Sequence, residues 1–329
     1  MKSTARLRYP GGSREFSRLL LRWYDREKRS LPWRGEKDPY RILVSEIMLQ
    51  QTRVAVVEGR YRKFIQQFPT ALRLARAKEQ TVLAAWSGLG YYRRARALHA
   101  AAKAVTRSGA FPQTAVQLEG LPGVGRYTAA AVASIAFGEL VPVVDGNVKR
   151  VLQRLLGREP AKEEYWSAAG EMLDRERPGD FNQAMMELGA LVCLPGAPLC
   201  EKCPVARLCQ ARGAGVRRKQ ASRRKAVLVY ALALREGKVL LRQRSRRSPL
   251  MAGMWELPEC ETQNVTPIMR LRHSITTTDY SVSVFAGRGR VKGEWVSMRS
   301  VERIALTGLA RKILRKARAL QLTTRKAAR

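Results

Sequence analysis

Four cysteines crowd into one short stretch, CLPGAPLCEKCPVARLC, as Cys193, Cys200, Cys203 and Cys209. Nothing else in the sequence restricts the fold as strongly. Thiolates separated by six, two and five residues on a Pro-containing loop can all surround one metal centre. Zinc sites commonly use two close cysteine pairs. Here only one Cys-x-x-Cys is present, flanked by wider gaps, and on chemistry alone zinc and a 4Fe–4S cluster suit the loop equally. The fifth cysteine, Cys260, reads as a small buried hydrophobe.

Disulfides are not expected. The amino terminus, MKSTARLRYPGGSREF, lacks the apolar run of a secretory signal, which predicts a reducing, cytoplasmic and nucleoid-associated setting. No run reaches the roughly 18 apolar residues that a membrane-spanning helix needs, so no membrane partner is expected. Charge names a different one: 62 Lys and Arg against 27 Asp and Glu leave a net +35, which suits a polyanion, and nucleic acid above all.

The 329 residues, 45% of them hydrophobic, are enough for two or three domains with sizeable cores. From about Ser13 to Leu208 apolar residues recur at three and four, as in Leu19, Leu20 and Trp23 and again in Leu83 and Trp86. Alanine is abundant in this helical region. The stretch ARGAGVRRKQASRRKA, 211–226, is basic, small and aperiodic, and reads as a linker. Beyond it, VLVYALALREGKVLLRQR predicts two strands paired as a hairpin around Glu236-Gly237-Lys238. SVSVFAGRGRVKGEWVSM adds strand-like alternation, and a last helix is predicted near Leu309 to Leu320.

LEGLPGVGRYTAAAVAS places Gly123 and Gly125 just ahead of an Ala-rich helix. Glycines permit a tight turn there, and a helix start presents N–H groups suited to a phosphate. An ordinary turn between helices is the plainer alternative.

Two carboxylates stand out. Glu46 in YRILVSEIMLQQT shares a helix face with Ile42, Leu43, Leu49 and Gln50. An acid on an apolar stripe is costly unless paired or protonated. Burial raises its pKa, which is what a general acid needs near neutral pH. A salt-bridged structural glutamate fits the same pattern. Asp145 in VVDGNVKRVLQRLL precedes a helix with the stripe Val148, Val151, Leu152 and Leu155. It reads either as an N-cap or as an ionised group stabilising a cationic sugar.

Taken in order, LPWR, SEIMLQQT, GLGYYRRA, LPGVGRYTA, VDGNVKRVL, ELGALVC and the cysteine loop resemble the adenine DNA glycosylases of MutY type, within the endonuclease III and helix-hairpin-helix superfamily. The resemblance spans about Leu31 to Cys209. It implies a mainly α amino-terminal region, with a helix-hairpin-helix glycosylase fold and an iron–sulfur cluster domain, followed by a smaller α+β Nudix-like domain. The helical domain would cover 1–210, with a six-helix part at about 35–140 and a cluster part at about 1–34 and 141–210. The basic linker would be 211–226, and the MutT-like lesion-recognition domain 227–329.

The same resemblance implies roles. Cys193, Cys200, Cys203 and Cys209 would hold a 4Fe–4S cluster. Glu46 would protonate the adenine ring and later activate water, and Asp145 would stabilise the oxocarbenium-like sugar, supported by Tyr127 and Asn147. Arg34 and Glu187 would line the adenine pocket. Gln51 and Tyr91 would wedge into the duplex, and Gly123 and Gly125 would turn the phosphate-gripping hairpin. The expected partner is double-stranded DNA with adenine opposite 8-oxoguanine or guanine, bound by a monomer.

Two relatives within reach are disfavoured. A glycosylase-lyase of this superfamily carries a lysine where Tyr127 stands, and tyrosine offers no amine for a Schiff base, so a monofunctional enzyme is expected. A lesion sensor that no longer cuts would lack Glu46 or Asp145. The carboxyl-terminal domain departs from its family: no Glu-rich metal helix follows Glu259, so hydrolase activity is not expected there. The Phe-Ser-His triplet that probes the damaged guanine aligns with Ile275, Thr276 and Thr277. Thr276 is the residue left to donate the serine-type hydrogen bond.

Overall fold

The structure is a computed structural model that describes residues 12–212, 223–261, 265–287 and 292–327, with the side chains of 320–327 outside the description. The first residues of the expected cluster part, and 213–222 of the expected linker, lie outside the described residues.

Eleven described α-helices precede the strands: α1 (Gly12–Glu27), α2 (Pro39–Leu49), α3 (Val54–Gln67), α4 (Ala71–Arg76), α5 (Glu79–Ala85), α6 (Arg93–Ser108), α7 (Ala115–Glu119), α8 (Arg126–Phe137), α9 (Gly146–Leu155), α10 (Lys162–Met172) and α11 (Pro178–Leu191). Then come β1 (Arg224–Leu232), β2 (Leu234–Arg235), β3 (Lys238–Gln243), β4 (Trp255–Glu256), β5 (Met269–Ile275), β6 (Thr278–Ala286), β7 (Glu294–Ser297) and α12 (Gly308–Ala327). The chain divides into two compact units: the described residues of Met1–Ala75 and Ala100–Lys219, and those of Arg76–His99 and Gln220–Arg329.

In the first unit, one core gathers the apolar stripes of four helices. Phe16, Leu20 and Tyr24 of α1 meet Val148, Val151, Leu152 and Leu155 of α9, Ala168 and Met172 of α10, and Phe181, Met185 and Leu188 of α11. All recur at three- and four-residue steps, so each helix buries one face. Leu152 is fully buried, and its truncation to alanine would cost about 2–5 kcal/mol. Cys193, Cys203 and Cys209 pack against the edge of this core.

A second layer forms where α2 and α11 pack on α8. Helix α8 is mostly alanine, and Ala129, Ala130, Ala131 and Ala133 are buried, so neighbouring backbones come close. A Cβ on Gly179 of α11 would lie 2.6 Å from the carbonyl oxygen of Ser134, so only glycine fits that crossing. Helix α2 starts where it does because Pro39 occupies its first turn and Asp38 Oδ1 accepts from the N–H of Tyr40 at 2.8 Å.

In the second unit, β1, β6 and β5 form one sheet, with β1 parallel and β5 antiparallel to β6. The strands β2, β3 and β4 form another, with β7 paired to β3. Leu309, Ala310, Ile313, Leu314 and Ala317 of α12 share a core with Tyr230, Leu232, Val282 and Val284. The predicted hairpin is corrected here. The turn at Glu236–Gly237 forms, but it joins only β2 to β3, whereas the long apolar run of β1 pairs parallel with β6. Its residues Tyr230 and Leu232 thereby reach the α12 core, and that burial outweighs local pairing. Among the described residues between Glu259 and Arg272 there is no helix.

Candidate active site

The first unit brings together residues from five segments. Glu46 projects from the middle of α2 and is 6% exposed. Tyr127 sits in the first turn of α8, and its hydroxyl donates to Glu46 Oε2 at 2.7 Å, with the Met186 Sδ of α11 at 3.2 Å. Burial pushes the Glu46 carboxyl above its ordinary range. The Tyr127 hydrogen bond and the charge of Arg34 oppose this, and the charge of Asp145 adds to it. Burial likewise holds the Tyr127 phenol neutral, helped by the carboxylates of Glu46 and Asp145. Glu46, Tyr127 and Asp145 thus act on one another electrostatically, though the sequence separates them by up to a hundred residues.

Asp145 is the N-cap of α9, as the plainer alternative had it, and it also faces the site. Its Oδ1 accepts from the N–H of Val148 at 2.7 Å and its Oδ2 from the Asn147 amide at 3.0 Å. Burial raises the carboxyl, while the donors of Val148 and Asn147 and the charge of Arg150 pull it back. The cap therefore aims a carboxylate and supplies it with donors.

Arg34 and Glu187 also meet. The Arg34 guanidinium bonds Glu187 Oε2 at 2.6 Å and the Gln183 side chain. Glu187 is tied further by Arg29, which sequence inspection does not single out. Arg29 gives Nε to Oε1 and a terminal nitrogen to Oε2, both at 2.8 Å, and its backbone N–H to Oε1 at 3.0 Å. Burial pushes the Glu187 carboxyl up, but the Arg29 hydrogen bonds and the charges of Arg34 and Arg29 outweigh it, leaving the carboxyl below its ordinary range. Four donors fill the acceptor capacity of one carboxylate. The Nε of Arg34 is buried and has no partner among the described residues. No local sequence signal marks Arg29 or Gln183, because their partners are distant in the chain.

A second arginine pair serves α9. Arg150 donates to the carbonyls of Cys193 and Gly189, both at 2.7 Å, and to Asn147 Oδ1 at 2.8 Å. Arg154, 3% exposed, donates to Cys193 Sγ at 3.2 Å and to the Leu194 carbonyl at 2.8 Å. Their four-residue spacing ahead of a cysteine loop is a signal that could have found them. Arg150 joins the first turn of α9 to the cysteine loop through Asn147, and Arg154 joins the last turn to it.

The four cysteines are half-buried thiols. Burial pushes Cys203 up to about 11, and the charges of Cys193, Cys209 and Cys200 add to it. Cys209 is raised by burial too, with Cys193 and Cys200 contributing. Among the described residues no three of His, Cys, Asp or Glu are gathered to hold a single metal ion. The donor set, four soft thiolates from one loop, fits a four-cysteine iron–sulfur centre.

Gly123 takes φ +75° between α7 and α8, a conformation that glycine adopts without strain, and Gly125 caps α8 in extended backbone. Gln51 follows α2 with φ +54° and is exposed. A non-glycine residue in that region is uncommon and concentrates at functional sites.

The second unit holds the other two predicted contacts. Tyr91 has φ +46° and Thr276 φ +51°. Thr276 is the exposed tip of the β5–β6 hairpin, between the paired Ile275 and Thr278. Its hydroxyl donates to the Ile275 carbonyl at 2.7 Å, so the donor expected to meet the lesion is committed to its own backbone. No helix is long and apolar enough to cross a membrane among the described residues.

A helical fold with a glycine-turned hairpin and a buried acid–tyrosine pair defines a DNA-repair class, and comparison with known proteins agrees. The model of the HhH-GPD superfamily base excision DNA repair proteins matches residues 44–173, the span that holds Glu46, Tyr127, Asp145 and Asn147. The human adenine DNA glycosylase is 50% identical over 214 residues, covering 60% of this chain and 39% of that protein. The adenine DNA glycosylase of Schizosaccharomyces pombe is 42% identical over 224 residues, covering 60% of this chain and 49% of that protein. This chain thus spans less than half the length of either. The structure of a thermostable thymine-DNA glycosylase is similar at a TM-score of 0.58 and 31% identity, covering 61% of this chain and 96% of that one. The chain belongs to the HhH-GPD superfamily of base excision DNA repair proteins. Its MutY-type motifs agree with the name its curated relatives share.

Proposed function

We propose that this protein is a monofunctional adenine DNA glycosylase, which hydrolyses the N-glycosidic bond of adenine mispaired with 8-oxoguanine or guanine. The observation that carries this is the buried Glu46 carboxyl, held at 2.7 Å by Tyr127 and coupled to Asp145. A carboxyl that burial makes hold its proton more tightly is suited to deliver that proton to the departing base and then accept one from water. Asp145, aimed by its own cap contacts, is placed to meet positive charge on the sugar as the bond breaks, and Asn147 and Tyr127 support it. Arg34, oriented by Glu187 and Gln183, would line the pocket of an extruded base. Gln51 and Tyr91 would fill the space the base leaves, offsetting part of the cost of flipping it. The hairpin at Gly123 and Gly125 would hold the backbone without reading sequence.

Cys193, Cys200, Cys203 and Cys209 would hold a 4Fe–4S cluster. When bound it would tie the loop down, and Arg150 and Arg154 connect that loop to α9. The domains would be arranged as the sequence predicts, with a MutT-like carboxyl-terminal domain for lesion recognition.

The test is incubation with duplexes holding one adenine opposite 8-oxoguanine or guanine, with products read before and after alkali, alongside Glu46→Gln and an iron and sulfide assay. Adenine loss that gives strand breaks only after alkali, leaves no borohydride-trapped adduct and disappears in Glu46→Gln supports the proposal. No adenine release from either duplex overturns it.

A further inference from the structure

The turn that carries Tyr91 is built around a buried cation. Residues 88–91, Gly-Leu-Gly-Tyr, link α5 to α6, and three of the four take left-handed backbone: Gly88 at φ +94°, Gly90 at +69° and Tyr91 at +46°. Glycine enters that region freely; tyrosine does so only when its surroundings hold it there.

Arg94, the second residue of α6 and 7% exposed, does that holding. Its guanidinium donates to the carbonyl of Leu89 at 3.0 Å and to that of Gly90 at 3.3 Å. The indole of Trp86 donates to the same Gly90 carbonyl at 3.1 Å. The backbone N–H of Arg94 bonds the Tyr91 carbonyl at 2.9 Å. The peptide planes on both sides of Tyr91 are therefore fixed, and with them the direction in which its Cα–Cβ bond leaves the chain. The guanidinium carbon also lies 5.6 Å from the Trp86 ring centroid and 5.5 Å from that of Tyr91, within cation–π range.

This placement is costly. Burial lowers the guanidinium to about 10, against the helping charge of Tyr91, yet it stays a cation at neutral pH. Arg93, its neighbour, is exposed, so the site has not simply swept up a surface cation.

We infer that Arg94 is a positioning residue that holds Tyr91 in the orientation needed to enter the duplex. Its effect on base extrusion passes through Tyr91, not through contact with DNA. This rests on Tyr91 acting as a wedge, as proposed above.

A two-residue cycle tests it, using the full chain. Arg94→Met, Arg94→Lys, Tyr91→Ala and the Arg94→Met/Tyr91→Ala double variant are compared on duplexes carrying 2-aminopurine beside the target adenine. Fluorescence reports unstacking, and single-turnover excision reports chemistry. Arg94→Met should slow extrusion about tenfold, an effect the size expected of a misplaced contact group. Duplex affinity should change less than about threefold, since no phosphate contact is lost. Lysine keeps the charge but not the two-pronged donor, so Arg94→Lys should fall in the same direction by less, and it carries the test if Arg94→Met does not fold. The double variant should be no slower than Tyr91→Ala. Losses that multiply in the double variant, or wild-type extrusion in both single Arg94 variants, would overturn the inference. The fluorescence step needs no adenine release, so a wild type that extrudes without excising defeats the proposed activity and leaves the Arg94 result readable.

Discussion

Gly189 lies directly against Asn147. A Cβ at position 189 would fall 2.6 Å from the Cβ of Asn147 and 3.1 Å from its Cα, closer than side chains approach one another. Helices α11 and α9 meet there, one residue pair from the Asp145 carboxylate that Asn147 holds at 3.0 Å.

Gly189→Ala should therefore displace Asn147 and with it Asp145. A misplacement on the order of 1 Å costs about 100-fold in rate. Single-turnover adenine excision should drop by that order while duplex binding stays near wild type. An unchanged rate would show that α11 can retreat without moving Asp145.

Glu46→Gln should trade activity for stability. The folded state raises the Glu46 carboxyl above its ordinary 4.5 through burial, so the folded form keeps a proton that the unfolded chain gives up. Stability then falls as pH rises from the unfolded value toward the folded one. An amide carries no such cost, so the variant should melt higher at neutral pH, by about 2 °C or more, and the gain should vanish below pH 4.5. Excision should fall by about 100-fold or more. Melting curves at acid and neutral pH decide it: a variant less stable at neutral pH would mean that Glu46 contributes more through its contacts than its burial costs.

Tyr127→Phe removes the donor to Glu46. That hydrogen bond lowers the carboxyl, so its loss should raise it further. A general acid works only while protonated, so the alkaline limb of the pH–rate profile should move to higher pH even as the maximal rate declines. An alkaline limb that stays put would assign it to a group other than Glu46.

The β5–β6 tip predicts weak lesion discrimination. Ile275-Thr276-Thr277 replaces an aromatic and a histidine, and the Thr276 hydroxyl is spent on the Ile275 carbonyl. The preference for adenine opposite 8-oxoguanine over guanine should be smaller than in a Phe-Ser-His enzyme, and Thr276→Val should leave the ratio of rates unchanged within about twofold, since no donor to the lesion is lost. Equal discrimination in the two enzymes would defeat the idea.

Much of the site was legible because its signals are local. Four cysteines in one loop need no distant partner to be recognised, and an acid on an apolar stripe announces burial at Glu46. Asp145 illustrates the limit: an N-cap and a catalytic carboxylate have the same sequence signature, and the structure has it serve as a cap facing the site. The strand pairing of β1 was misjudged for a related reason. Alternation predicts a strand, but whether it pairs with β3 nearby or β6 far away depends on which face reaches α12.

Composition and local order by themselves determined that this chain is basic, mostly helical at first, glycine-turned before α8 and cysteine-rich near residue 200. They determine such things because helix period, turn chemistry and ligand spacing act over a few residues. Tertiary structure alone decided the rest: Tyr127 against Glu46, Arg29 and Arg34 on Glu187, Gly189 against Asn147. Those contacts join residues from 42 to 158 positions apart. Their geometry depends on how closely α2, α8, α9 and α11 approach, which small residues at the crossings permit and which no single segment encodes.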